Sequence, residues 1–124
     1  LKADKCLVDP PCSALGVKPK TYEFATREKI SALSQYQQQF LTAASKILRE
    51  NGVVVYSVCT MTTQECEEIV NFAASQCGFQ PEEQSLFLGS GGLKHLMPSS
   101  DLVQRFHPHI HDYGYFIARF RKTS

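Results

Sequence analysis

Cys6-Leu7-Val8-Asp9-Pro10-Pro11-Cys12 decides how this chain is read, with Asp4-Lys5 before it and Ser13-Ala14-Leu15-Gly16 after it. Three apolar residues make a short strand, and two prolines stop it because proline has no N–H for a sheet ladder. Each proline fixes its own φ and pushes the preceding residue toward extended geometry. The pattern predicts that Asp9 and Cys12 are held at the carboxyl end of a buried strand, where open α/β sheets bind ligands. The plainer reading of the same residues is a strand, a proline turn and a buried structural cysteine.

A second strand answers the first. Gly52-Val53-Val54-Val55-Tyr56-Ser57-Val58-Cys59-Thr60 is continuous and β-branched, as expected of a central strand covered on both faces. It too ends in a cysteine. Thr62-Thr63-Gln64-Glu65 then matches a capping box, with Thr62 as N-cap and Glu65 at N3. The helix beyond it should bury Ile69, Val70, Phe72, Ala73 and Cys77 and close at Gly78. Cys59 is thus expected between a strand end and a helix N-terminus, a setting that favours thiolate. Cys66 and Cys77, inside the helix, read as structural fillers.

Between the strands, Thr26 is placed to cap a helix that breaks or continues near Ser34. The stronger part spans about 35–49 and buries Phe40, Ala43, Ala44, Ile47 and Leu48. Gln37, Gln38 and Lys46 fall on its solvated face. Asn51-Gly52 supplies the stop, with glycine taking the left-handed conformation. Ahead of this helix, Lys18-Pro19-Lys20 and Tyr22 form a stiffened basic loop. It could track a phosphate backbone and stack a base, or simply be solvated.

After the second helix, a strand is expected within 79–88, with boundaries blurred by Pro81 and two glutamates. Ser90-Gly91-Gly92-Leu93 reads as a flexible connection without phosphate-loop spacing. A last alternating strand covers 113–120. Just before it, His107, His109 and His111 would share one side of an extended segment. Zinc wants four ligands with supporting partners, and no cysteine motif lies nearby, so a polar loop lining a cleft is the preferred reading, with no metal. The order implies an α/β sheet of parallel strands, with the final two strands as an antiparallel edge hairpin. Both cysteine-bearing strand ends should face one cleft.

The bulk numbers are ordinary. The chain has 124 residues, 43% hydrophobic and 20% charged, with a net charge of +1. That suits one small core and gives no electrostatic argument for nucleic acid, membrane or an acidic partner. No run approaches the roughly 18 apolar residues of a membrane span. The five cysteines form no CxxC pair, and with no export signal a reducing, cytoplasmic setting is expected. The opening Leu1, with a strand almost at once, suggests part of a longer chain.

Asp9-Pro10-Pro11-Cys12-Ser13 and Tyr56-Ser57-Val58-Cys59-Thr60, followed by Glu65-Cys66-Glu67-Glu68, resemble two signature motifs of the NOL/NOP/Sun RNA 5-methylcytosine methyltransferases. The ending from His107 to Ala118 also resembles that family's closing segment. The likeness covers nearly all of the chain but only the second half of the family's catalytic domain. It implies the second half of a Rossmann-like class I methyltransferase sheet. Cys59 would attack C6 of a cytosine in RNA, C5 would take a methyl group from S-adenosylmethionine, and Cys12 would help eliminate the enzyme. Asp9 would sit beside cofactor and cytosine, with Pro10 and Pro11 on the cofactor side. Lys18, Lys20 and His109 would contact RNA, with transfer RNA ahead of ribosomal RNA. Cys66 stands where the family commonly has asparagine. No glycine-rich cofactor loop is present, so the upstream half of the enzyme is the expected partner and residues 1–124 alone should bind S-adenosylmethionine weakly or not at all. The rivals are a thiol hydrolase pairing Cys59 with His107 or His109, and a non-catalytic RNA-binding remnant.

Overall fold

The computed structural model describes residues 2–17 and 26–123. Lys18, Lys20 and Tyr22 lie outside the described residues. The elements are β1 (Ala3–Val8), α1 (Arg27–Ile47), β2 (Leu48–Val58), α2 (Glu67–Gln76), β3 (Phe79–Pro81), β4 (Ser90–Gly91), β5 (Gln104–Phe106), α3 (Pro108–His111) and β6 (Tyr115–Lys122). One mixed sheet runs β1-β2-β6-β5-β4, and β3 also pairs with β6. β1 and β2 are parallel, as the crossover through α1 requires, while β6 is antiparallel to β2, β3 and β5. Antiparallel closure occurs as expected, but β6 is internal rather than an edge. Its Phe116, Ala118 and Phe120 are fully buried, so it needs neighbours on both sides.

β2 forms the spine of the core, with Val54, Tyr56 and Val58 buried on one face. β1 departs from expectation. Its inner residues follow the strand alternation, with Val8 buried, yet Leu7 on the opposite face is 72% exposed. Among the described strands β1 pairs only with β2, so the compact apolar run Cys6-Leu7-Val8 does not make a fully buried strand.

α1 is one helix. The Thr26 hydroxyl caps it by accepting the Lys29 N–H at 3.1 Å. Its buried face is Gln37, Leu41 and Ala44, continued by Leu48. Phe40, Ala43 and Ile47 are exposed instead. The i, i+4, i+7 stripe through 37, 41 and 44 is the one that meets the sheet, and it includes a glutamine assigned above to solvent. The helix ends at Ile47, and β2 begins directly. Asn51, not Gly52, takes the left-handed conformation, at φ 65°, because asparagine tolerates it through local hydrogen bonding. Gly52 is needed for space, since a Cβ there would sit 2.7 Å from the Leu48 side chain. The result is a bulge, with Ala3 opposite Leu48 but Lys5 opposite Val53.

α2 starts at Glu67, after a turn through 63–66, and closes at Gly78 with φ 69°. It buries Ile69, Val70 and Ala73, while Cys66 and Cys77 are buried as fillers. The capping box does not start the helix. The N-cap of α2 is Cys66, without a side-chain cap bond, so Thr62 lies in the preceding turn and Cys59 is not at the helix N-terminus as expected. The Thr62 hydroxyl accepts the Glu65 N–H at 3.3 Å, but the Glu65 carboxylate turns inward to other donors. The strand expected within 79–88 stops at Pro81. Beyond it the Gln84 side chain donates to the Ile117 carbonyl and replaces the ladder. Ser90–Gly91, expected as a free connection, pairs with the unanticipated β5. The final strand lies two residues later than expected.

Candidate active site

The Cys12 and Cys59 sulfurs are 3.4 Å apart. Each follows the carboxyl end of one of two adjacent parallel strands, so the cleft expected from sequence forms. Beyond the last rung, Val8 opposite Tyr56, the two loops are held by other contacts. Gly16 N–H donates to the Cys59 carbonyl at 3.0 Å, and Gly114 N–H donates to the Gly16 carbonyl at 2.8 Å. Ala14 adopts φ 57°, a conformation that costs an L residue roughly 1–2 kcal/mol and persists where the surroundings enforce it. Ser13 and Gly16, anchored on either side, enforce it here.

The central anchor is Glu65, fully buried. Its Oε1 accepts the Ser13 N–H at 2.9 Å and the Gln37 Nε2 at 3.0 Å. Its Oε2 accepts the Ser13 and Thr62 hydroxyls, each at 2.6 Å, and the Thr60 hydroxyl at 3.3 Å. Gln37 also donates to the Pro11 carbonyl at 3.1 Å. The Tyr56 hydroxyl donates to the Glu65 carbonyl at 2.7 Å. A buried carboxylate is tolerable only when supplied with donors, and this one joins the residue after Cys12 to the residue after Cys59. The sequence alone suggests a cap and a place in the second motif for Glu65, without this buried role, and a surface position for Gln37. The signal was present in the helix stripe that groups Gln37 with Leu41 and Ala44.

Asp9 stands exposed one residue past β1, with Pro10 buried and Pro11 exposed behind it. Next to Cys59 lies a largely apolar cavity of about 420 Å³ walled by Gly16, Phe106, His111, Tyr115 and Ile117. The histidines do not lie on an extended segment, because Pro108–His111 is a helical turn. That turn still gathers their rings, with His107 5.6 Å from His109 and 6.3 Å from His111 between centroids. His107 N–H donates to His111 Nδ1 at 2.9 Å, and His109 is exposed on that turn. His111, rather than His107 or His109, is the histidine lining the cavity with Cys59. Among the described residues no group of three His, Cys, Asp or Glu is arranged to hold a metal ion.

Burial pushes the Cys12 thiol up to about 11, and the neighbouring Cys59 sulfur adds to the rise. Cys12 is therefore held largely as the protonated thiol near neutral pH. Its alkylation by iodoacetamide is expected to be slow at pH 7 and to rise about tenfold per pH unit until near pH 11, since only the thiolate reacts. Peptide mass spectrometry across that range measures it, and a plateau below pH 9 would contradict the assignment.

Two parallel strands of a mixed sheet thus each bring a cysteine to one cleft, with an acid beside the first, at the strand ends where open α/β sheets bind ligands. Residues 1–121 match the family described as 16S rRNA methyltransferase RsmB/F, and the chain belongs to that family. It is 48% identical over its whole length to a tRNA (cytosine(72)-C(5))-methyltransferase of Pyrococcus horikoshii, covering 31% of that protein. It is 32% identical over 96% of its length to the ribosomal RNA small subunit methyltransferase F of Serratia proteamaculans, covering 26% of it. The crystal structure of NSun6 from Pyrococcus horikoshii with SFG superposes over 100% of this chain and 31% of its own, with a TM-score of 0.91 at 47% identity. The chain thus spans about a third or less of the length of each of these proteins. Its sheet is the Rossmann-like one expected from the motifs.

Proposed function

We propose that residues 1–124 form the C-terminal, cysteine-bearing part of the catalytic domain of an RNA (cytosine-5) methyltransferase. The observation that carries this reading is the 3.4 Å approach of Cys12 and Cys59. Cys59 Sγ bonds to C6 of the target cytosine, and the C5–C6 electron pair becomes available at C5. S-adenosylmethionine supplies the methyl group that C5 takes. Loss of the C5 proton then restores the ring double bond and expels Cys59, with Cys12 assisting that release. Asp9, exposed beyond β1, holds positive charge near N3 of the base and so eases the addition. Asp9, Pro10 and Pro11 would hold one side of S-adenosylmethionine, and an exposed acid at the end of a parallel strand fits that task.

The remaining cofactor contacts belong to an upstream half of the same enzyme. The unpaired edge of β1 and the exposed Leu7 suit the addition of further strands there. Lys18, Lys20 and His109 contact the RNA, which presents its base unstacked. Transfer RNA is the favoured substrate, supported by the relative at 48% identity, and the enzyme works in the cytoplasm. Among the described residues no helix is long and apolar enough to cross a membrane.

The test uses the longest natural chain containing these residues, with transfer RNA and S-adenosylmethionine. Cys12→Ala is expected to accumulate a covalent RNA adduct on denaturing gels, and Cys59→Ala to form none and transfer no methyl groups. Methyl transfer surviving in Cys59→Ala would sink the mechanism.

A further inference from the structure

We infer that Glu65 is the positioning residue that holds Cys12 against Cys59. The two cysteines lie on segments 47 residues apart in sequence, and the β1–β2 ladder ends before either is reached. The register of the two loops therefore has to be fixed by something else. Glu65 accepts both the N–H and the hydroxyl of Ser13, next to Cys12, and the hydroxyl of Thr60, next to Cys59. Because the Ser13 hydroxyl gives its one proton to Glu65, the Thr60 hydroxyl shares its own between the Ser13 oxygen at 2.7 Å and the longer contact to Glu65. Hydrogen bonds to an ionised acceptor are about twice as strong as neutral ones, so one carboxylate clamps both loops. Tyr56 and Gln37 fix Glu65 in turn, through its carbonyl and its Oε1. A residue serving only as core filling would not gather five donors from three segments onto one buried carboxylate. The catalytic meaning rests on the methyltransferase reading. With the clamp loosened, Cys12 drifts from Cys59 and release of the methylated base slows.

The test separates geometry from chemistry. Glu65→Gln and Ser13→Ala are made in the longest natural chain containing these residues and equilibrated with oxidised and reduced glutathione. Closing the Cys12–Cys59 disulfide consumes one glutathione disulfide and releases two glutathione thiols. The fraction closed, read by peptide mass spectrometry, therefore reports the effective concentration of the pair. Glu65→Gln is expected to lower that concentration about tenfold, equivalent to the loss of one strong hydrogen bond, and Ser13→Ala to lower it less. Ser13→Ala keeps its N–H bond to Glu65 and carries the test if Glu65→Gln does not fold. A merely structural role would reduce the folded fraction and leave the pair unchanged in the molecules that remain folded. An unchanged or raised closed fraction in the folded variants overturns the inference. With RNA and S-adenosylmethionine, Glu65→Gln should retain a larger fraction of covalent adduct than wild type, as Cys12→Ala does. A lowered closed fraction with no RNA adduct in any variant would keep the positioning role and remove the methyltransferase reading.

Discussion

Glu67→Ala is expected to destabilise the protein by about 3–5 kcal/mol, the cost of stranding one member of a buried ion pair. Glu67 begins α2 and is 0% exposed, and its partner Arg105 on β5 is 4% exposed. Arg105 Nε donates to Glu67 Oε2 at 2.6 Å and its second nitrogen to Oε1 at 2.7 Å. The Leu93 N–H donates to the same Oε2 at 3.1 Å. Burial works against the Arg105 charge, but the carboxylate outweighs it and leaves the guanidinium's pKa raised. Alanine at 67 would leave that cation and the Leu93 N–H without their acceptor. The pair joins the start of α2 to the strand before the histidine turn, so its loss should also loosen the cavity beside Cys59. Urea unfolding measures the effect. The double replacement Glu67→Met with Arg105→Met removes both charges and is expected to be far less costly than Glu67→Ala. If the double variant is as unstable as the single one, packing rather than charge dominates this contact.

The meeting of the two cysteine-bearing strand ends was more legible in the sequence than the network that supports it. The two strand ends were readable because each combines an apolar run with a hard local stop, and such signals act over a few residues. The clamp was not readable, because Gln37, Ser13 and Glu65 meet only after the crossover helix has folded back on the sheet. Gln37 looked like surface because glutamine usually is, and only its place in the stripe with Leu41 and Ala44 argued otherwise. β4 and β5 were missed because two- and three-residue strands carry almost no periodicity. β5 is placed by β6, which offers a long internal partner, and β4 pairs in turn with β5. The extended reading of the three histidines failed for a local reason: proline at the first helical position favours a turn, and Pro108 stands there.

Gly16→Ala should have the next largest effect, and it acts on the site itself. Gly16 and Gly114 meet backbone to backbone. A Cβ at Gly16 would lie 2.0 Å from the Gly114 carbonyl oxygen, and one at Gly114 would lie 2.7 Å from the Gly16 Cα. The clash is with main chain, so no side-chain rotation relieves it, and the two segments must move apart. Overpacking of this kind costs about 1–3 kcal/mol. The movement also threatens both bonds of Gly16, the one to the Cys59 carbonyl and the one from the Gly114 N–H. Since Gly16 is the hinge between the Cys12 loop and the wall of the 420 Å³ cavity, the displacement reaches both cysteines. In the longest natural chain containing these residues, and on the proposed methyltransferase reading, the expected result is a folded but weakened protein in which methyl transfer falls by more than the loss of stability explains. Leu15→Ala, one residue away at a half-exposed side chain, is the control and should leave both nearly unchanged. Assays of the two variants at matched folded fraction decide the matter. Equal activities would mean that the glycine contact serves the fold alone, whereas a selective loss in Gly16→Ala would tie the close approach of two backbones to the alignment of the thiols.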